Sequence, residues 1–358
     1  ELLRRGIGED QIVCKRYTEM DIPENITAKQ MYDELTAAMA GKGHCYLLLD
    51  EIQEITGWEK AVNSLLESAD ADIYVTGSNS KLMSSEISTY LTGRYVSIPV
   101  YTLSFKEYLD FKADSTLSRR ELLEEYIRFG GFPIVALSEY DEQSAYQIVN
   151  GIYHTVVSRD IVKRHRINKQ DLFDRVVKYI IENMGKTFSA NSISTFLKSE
   201  HRKVSVESIY NYLRWLEQAF IIYPCERYDL QGKSILKTQE KYYLADVSLK
   251  YALLGYNRKM LDGAMENIVF LELKRRGYDV YIGKNDTKEI DFVATRRDER
   301  IYVQVCVQLP EGSDREVGNL MEIKDHYPKY VVTLNDMDVG IENGIKIVHL
   351  QDFLLADT

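Results

Sequence analysis

No stretch of 18 uncharged apolar residues occurs in the 358-residue sequence, so no helix long enough to cross a bilayer is expected. Cysteine is scarce. Its four copies, Cys14, Cys45, Cys225 and Cys306, are scattered without metal-ligand spacing. That excludes a disulfide framework and points to a reducing, cytoplasmic setting. The histidines His44, His154, His165, His201, His326 and His349 form no spaced cluster, which argues against a histidine-bound metal or nucleophile. Internal repeats and low-complexity tracts are absent, so a solenoid is not expected. The sequence begins with Glu1 rather than methionine. ELLRRGIGED reads as the tail of a helix and a turn at Gly6–Gly8, so the natural start is expected elsewhere and no targeting signal is readable.

What is present is ordinary for a soluble globular protein: 45% hydrophobic and 28% charged residues, in a length that suits two or three domains. The formal net charge is −10, unevenly spread. Residues 161–224 carry eleven Lys/Arg against six Asp/Glu, a local surplus of +5, which leaves −15 for the remainder. A basic island in an acidic chain is either a surface for a phosphate-rich partner or a solvated face.

The first 112 residues alternate helix and strand. Thr27 is placed to cap a helix over 27–40, with Met31, Leu35 and Ala38 on one stripe and Gly41 and Gly43 ending it. CYLLL at 45–49 reads as a buried parallel strand. A helix is expected at 58–68, a second strand at 72–76, a helix at 80–91 and a strand at 95–100, which is βαβ logic. Helices are expected over 119–159 around a break at Gly130-Gly131-Phe132-Pro133, and three more over 171–223, the last capped by Ser205. After Lys241 come a strand (YYLAD), a helix at 264–276, and strands near 278–283, 289–295 and 301–308.

Four apolar residues followed by Asp50-Glu51 form the central signal. The carboxyl end of a parallel strand faces the crevice where open α/β sheets bind ligands. There an Asp can hold magnesium, and the next Glu can orient or deprotonate water attacking a phosphoryl group. The alternative is an acidic turn that ends a strand. The neighbouring strand ends in Thr76-Gly77-Ser78-Asn79-Ser80, where a small polar residue could contact that water or a γ-phosphate. Arg94 follows at a spacing that suits either charge stabilisation, in its own or a neighbouring subunit, or a surface ion pair.

The strings LLLDEIQEITGWEKAVNSLL, VTGSNSKLMSSEISTYLTGRYVSIPVYTLSFKEYL and IRFGGFP resemble predicted bacterial and archaeal ATPases of the AAA+ class that carry a C-terminal domain of unknown function. The match runs through nearly the whole chain. The resemblance implies ATP and Mg2+ as cofactors, Asp50 and Glu51 as the magnesium and water pair, Ser78 or Asn79 as the sensor position, and Arg94 as a trans-acting arginine. One departure matters. The family carries a phosphate loop, G-x-x-x-x-G-K-[ST], upstream of this region, and no such motif exists in the 358 residues. The expectation is that the first strand, the loop and part of the first helix lie outside this chain, which would leave it inactive alone. A protein without the loop is the alternative.

Three helices with a basic surplus, followed by strands at 223–228 and 230–236, suggest a winged helix, and the resemblance also implies one. The third helix of that motif enters the major groove. Asn211 and Arg214 would then face bases, with Lys198, Arg202 and Lys203 near phosphates. A packing module that binds no DNA is the alternative. Further on, Glu266, Asp291, Gln304 and Cys306 are spaced as in restriction-endonuclease-like nucleases, in which an Asp and a Glu hold magnesium and a Lys positions water. Gln304 is a weak magnesium ligand and Cys306 supplies no cation, so the site reads as degenerate.

The expected fold is α/β: a parallel-sheet P-loop NTPase core of the AAA+ class over 1–112 lacking its phosphate loop, a helical lid or connector at 113–160, a winged-helix domain at 161–236, and a restriction-endonuclease-like α/β domain at 237–358. The expected function is ATP binding and hydrolysis that couples nucleotide state to a DNA-binding or docking region. The alternatives are a DNA-binding or docking protein without ATP turnover, or a metal-dependent nuclease. The expected partners are ATP, DNA, and a protein or a second copy of the chain, with no membrane.

Overall fold

The structure, a computed structural model, describes residues 1–19, 22–23, 25–78, 91, 93–137, 141–167, 169–187, 189–199, 201, 204–232, 234–257, 260–310 and 315–356. It divides into two compact units, Glu1–Pro99 and Val100–Thr358.

In the first unit three parallel strands, β1 (Ile12–Arg16), β2 (Cys45–Asp50) and β3 (Ala71–Val75), pair in the order β1-β2-β3. The connecting helices are α1 (Ala28–Met39) and α2 (Trp58–Ser68). As the sequence suggests, Thr27 caps α1, and its hydroxyl accepts the Gln30 N–H at 3.2 Å. Period 2 divides β2 cleanly. Cys45, Leu47 and Leu49 are buried, and the last two join Met31, Leu35, Trp58, Val62 and Leu65 in one core, while Tyr46, Leu48 and Asp50 stay half-buried. The strand expected at 95–100 is absent. These residues are irregular, with Val96 86% and Ile98 79% exposed. Apart from Leu91, the helix expected at 80–91 lies outside the described residues.

The second unit begins with helices α3 (Phe105–Phe111), α4 (Arg119–Phe129), α5 (Pro133–Ala136) and α6 (Glu142–Val156). The break between α4 and α5 has a steric cause. Gly130 has φ +72, and a Cβ there would come within 1.7 Å of Asp246 Oδ1. The buried Asp246 carboxylate accepts the Gly131 N–H at 2.8 Å and the Ser248 N–H at 2.9 Å, which ties this break to the far half of the chain. A π turn, Val157–Val162, extends α6. Then come α7 (Gln170–Glu182), α8 (Ala190–Ser199) and α9 (Val206–Gln218), with Ser205 capping α9 through the Ser208 N–H at 3.0 Å.

Eight strands follow as one mixed sheet: β4 (Ile222–Asp229), β5 (Ser234–Leu244), β6 (Asp279–Asn285), β7 (Lys288–Arg296), β8 (Glu299–Val305), β9 (Lys329–Thr333), β10 (Gly340–Glu342) and β11 (Ile345–His349). Their order is β10-β11-β9-β8-β7-β6-β4-β5. Between β5 and β6 lie α10 (Ser248–Leu254) and α11 (Leu261–Arg275). One expected boundary changes. A division at 236/237 would cut β5, because the presumed wing and the YYLAD strand are one strand. The hairpin β4–β5 also joins the larger sheet, because β4 pairs in parallel with β6. One large hydrophobic core runs from Leu103 through the three helices to Leu354, so the parts expected at 113–160, 161–236 and 237–358 share it, and a smaller cluster around Ile290, Tyr302 and Val331 lies within the last of them. Among the described residues no helix is long and apolar enough to cross a membrane.

Candidate functional site

Asp50 ends β2, and the chain turns sharply after it. Glu51 has φ 53 and ψ 42, a left-handed conformation that non-glycine residues avoid. Backbone bonds continue past the strand ends and hold that turn: the Tyr17 N–H donates to Asp50 O at 3.1 Å, and the Ile52 N–H donates to Thr76 O at 3.2 Å. Thr76, just beyond β3, joins both carboxylate residues. Its hydroxyl donates to Asp50 Oδ1 and accepts the Glu51 N–H at 3.3 Å. Arg16, the last residue of β1, places Nε 3.3 Å from Asp50 Oδ2. Glu51 Oε2 accepts from the Ser78 hydroxyl at 3.1 Å, from the Ser78 N–H at 3.4 Å and from Gln53 Nε2. Gln53 is 6% exposed, and its Oε1 is buried without a partner.

Asp50, Glu51 and Ser78 thus converge at the carboxyl tips of three parallel strands. Arg16, Thr76 and Gln53 join them and were not singled out from sequence. Thr76 was within reach, since it opens the TGSNS string. Arg16 was not, because pairing it with Asp50 requires the β1–β2 register. Arg94 does not join the cluster. Its guanidinium donates to Asn63 and Glu67 of α2, each at 3.1 Å, so it makes the surface ion pair. Asn79 lies outside the described residues.

In the second unit Glu266 of α11, Asp291 of β7 and Gln304 of β8 come together, as their spacing suggests. The Asp291 carboxylate accepts the Val305 N–H at 2.8 Å, and Gln304 Oε1 accepts the Asp291 N–H at 3.2 Å. Gln304 therefore serves the backbone of the neighbouring strand. Lys241 of β5 completes the group. Its ammonium lies 2.8 Å from Glu289 and 3.5 Å from Glu266, whose Oε2 also accepts from the Tyr243 hydroxyl at 3.1 Å. Two strands separate β5 from β7 in the sheet order, so the contact requires the sheet to curl. Burial opposes the charge on Lys241, but Glu266, Asp291 and Glu289 outweigh it and raise its pKa. Burial, reinforced by Glu266, pushes Asp291 well above the usual carboxylate range, while Lys241 and the Val305 N–H pull the other way. Gly185, at φ +75, allows the preceding helices to approach, since a Cβ there would sit 3.1 Å from Glu266 Oε2.

Cys306 follows the last residue of β8 rather than lying within the strand. Burial, then Glu316, pushes its thiol up to about 12, which suits an inert residue and not a nucleophile. Among the described residues no group of three or more His, Cys, Asp or Glu could hold a metal ion. Of the residues expected to meet DNA, Lys198 and Arg214 are exposed and Asn211 is half-buried, while Arg202 and Lys203 lie outside the described residues.

Residues 8–109 match the AAA domain family, and residues 120–259 match a domain of unknown function (DUF8612). An uncharacterized protein of Haemophilus influenzae is 41% identical over 99% of this chain and 88% of its own length. One from Methanocaldococcus jannaschii is 33% identical over 87% of this chain and 74% of its own length. Among solved structures, a Walker-type ATPase of Pyrococcus abyssi aligns at a TM-score of 0.47 with 15% identity, over 70% of this chain and 86% of that one, too distant a likeness to carry weight. By the identity and coverage of the two relatives, this chain belongs to the family of these uncharacterized bacterial and archaeal proteins, and its first unit carries that family's AAA domain.

Proposed function

We propose that the chain belongs to an ATP-hydrolysing AAA-class protein. The observation that carries this is the convergence of Asp50, Glu51, Thr76 and Ser78 at the carboxyl ends of parallel strands, within the stretch that matches the AAA domain. The donor set fits a magnesium nucleotide in part. Carboxylate and hydroxyl oxygens are the hard ligands Mg2+ takes, and the buried, unpartnered Gln53 Oε1 leaves one acceptor for an added donor. The phosphate-cradling loop is not in these 358 residues, so the grip on the phosphates must come from elsewhere.

In this reading Asp50 holds the metal, which would neutralise charge on the transferred phosphoryl group. Glu51 orients the attacking water and takes its proton, and its left-handed backbone keeps the carboxylate against Ser78. Ser78 or Asn79 senses the γ-phosphate. Arg94 acts only if a neighbouring copy frees it from Glu67, which would make the working form an oligomer. The second unit would be the output, docking a protein or DNA according to nucleotide state, with Lys198, Arg202, Lys203, Asn211 and Arg214 on its DNA face. The readings of its parts as lid, winged helix and restriction-endonuclease-like fold belong to this same proposal, without a break at 236/237, which β5 crosses.

The test is phosphate release by the protein as its gene encodes it, with and without Glu51→Gln. A fall of about 10²–10³-fold with unchanged nucleotide affinity is expected. Equal rates, or no turnover in the wild type, would leave the reading of a docking protein without ATP turnover. Metal-dependent nuclease activity is a third reading; Gln304 Oε1 is taken up by the Asp291 N–H and Cys306 supplies no cation, which counts against it. Plasmid nicking in Mg2+ or Mn2+ that Asp291→Ala abolishes would restore it.

A further inference from the structure

Residues 159–169 run from the π turn to the start of α7 and hold five cations, Arg159, Lys163, Arg164, Arg166 and Lys169, against one acid, Asp160. A π turn adds a residue to the helical repeat and rotates the face that follows. Here Asp160 is turned inward, 5% exposed, and engages Arg159 at 3.2 Å and Arg164 at 3.7 Å. The other three cations are left over. Lys163, Arg166 and Lys169 are exposed and make no hydrogen bond or ion pair among the described residues. Some lysines and arginines elsewhere on this acidic chain find carboxylates, as Lys29 and Arg120 do. Here three cations without one lie within seven residues of sequence.

The segment is also held in place. The His165 ring lies flat on the Trp215 indole of α9, with centroids 4.1 Å apart and planes 9° apart. Burial, then Arg164, lowers the His165 pKa, so the stacked ring is neutral near pH 7 and adds no repulsion of its own. Stacking pins the cationic segment to the helix that also carries Asn211 and Arg214. A fixed row of cations loses less conformational freedom on meeting a regular row of anions than a flexible tail does.

We propose that Lys163, Arg166 and Lys169, held by the His165–Trp215 stack, form a docking surface for the phosphate backbone of nucleic acid. The geometry suits backbone contacts, which set affinity and position rather than sequence. The inference rests on the DNA-facing reading of the second unit and changes where the contact is made: the main surface lies beside α9, at the end of the π-turned helix, rather than on the outward residues of α9.

The test is a fluorescence-anisotropy titration of a labelled 20-base-pair duplex at several salt concentrations. It uses the whole protein, the triple variant Lys163→Ala/Arg166→Ala/Lys169→Ala, and the α9-side variant Lys198→Ala/Asn211→Ala/Arg214→Ala. Each lost phosphate contact lowers the slope of log affinity on log salt by about 0.9. The triple variant should therefore lose roughly two to three units of slope and at least about tenfold in affinity at low salt. Its thermal midpoint should match the wild type, because the three side chains are exposed and unpaired. Loss confined to the α9-side variant would overturn the inference and leave the DNA reading standing. Absence of wild-type binding at low salt would overturn both. Competition by polyglutamate as effective as that of unlabelled duplex would also overturn it, in favour of an acidic polypeptide.

Discussion

Asp291 shows best how much of a site can hide from a linear reading. Its spacing from Glu266 is legible, and the two do meet. The cation between them is not legible, because Lys241 lies 25 residues before Glu266 in an apolar-polar strand pattern, and nothing local marks it. Only the curl of the sheet brings it in. The electrostatics make a prediction at this scale. Burial, then Glu266, raises the Asp291 pKa, so the folded chain keeps a proton that the unfolded chain releases near about pH 4. Between the unfolded and folded values the native state binds more protons, and stability falls as pH rises. Asp291→Asn removes that titration, and its amide oxygen can still accept the Val305 N–H. The variant should therefore gain stability on the wild type as pH rises from about 5 to 8, seen as a flatter pH dependence of the urea midpoint. Parallel pH profiles would show that Asp291 is charged in the folded chain.

Individual elements differ in how legible they are in the sequence, for physical reasons. Helices α1 and α9 are legible because cap and stripe agree: Thr27 and Ser205 accept the expected N–H groups, and the apolar positions face a core; α2, whose N-cap Gly57 makes no side-chain bond, is legible from its stripe alone. The β2 strand was legible from its apolar run. The segment 95–100 is rich in β-branched and aromatic residues but forms no strand, because a strand exists only where a neighbour takes up its backbone groups. The presumed wing failed in the opposite way. The expected strands at 223–228 and 230–236 suggest a small local hairpin, and nothing in them announces that β4 pairs with a strand 50 residues later. One side chain holds this arrangement. The fully buried Asn267 of α11 accepts the Leu244 N–H at 2.6 Å and donates to Leu244 O at 3.0 Å, standing in for a missing strand at the end of β5. Asn267→Ala leaves both backbone groups buried and unpaired, which should cost about 2–4 kcal/mol. Denaturant unfolding with an unchanged slope and a lower midpoint would register it, and a loss below about 1 kcal/mol would mean that water replaces the amide. Gly130→Ala should be of similar size, since both its positive φ and the Asp246 carboxylate forbid a side chain there.

At the scale of the whole molecule, the division at Pro99/Val100 gives each unit its own core and, by chance of composition, its own reporter. The sequence has two tryptophans. Trp58 is 3% exposed in the core of the three-stranded unit, and Trp215 lies half-buried against His165 in the other. The three-stranded sheet leaves one face half-exposed along Tyr46, Leu48 and Tyr74, and its core cluster holds far fewer buried residues than the main core of the eight-stranded unit. Small cores are the less stable ones, and separate cores need not unfold together. Trp58→Phe and Trp215→Phe variants each leave a single emitter. In urea, the Trp58 signal of the second variant should change at a clearly lower concentration than the Trp215 signal of the first. A protease should then cut first in the exposed stretch from Tyr95 to Val100, and mass spectrometry of the fragments would place the cut. Nucleotide offered to the protein as its gene encodes it should raise only the lower transition if the site at Asp50 and Glu51 binds it, because a ligand stabilises the unit it touches in proportion to its affinity. Coincident midpoints for the two emitters, with and without nucleotide, would instead mean that the two units fold as one body.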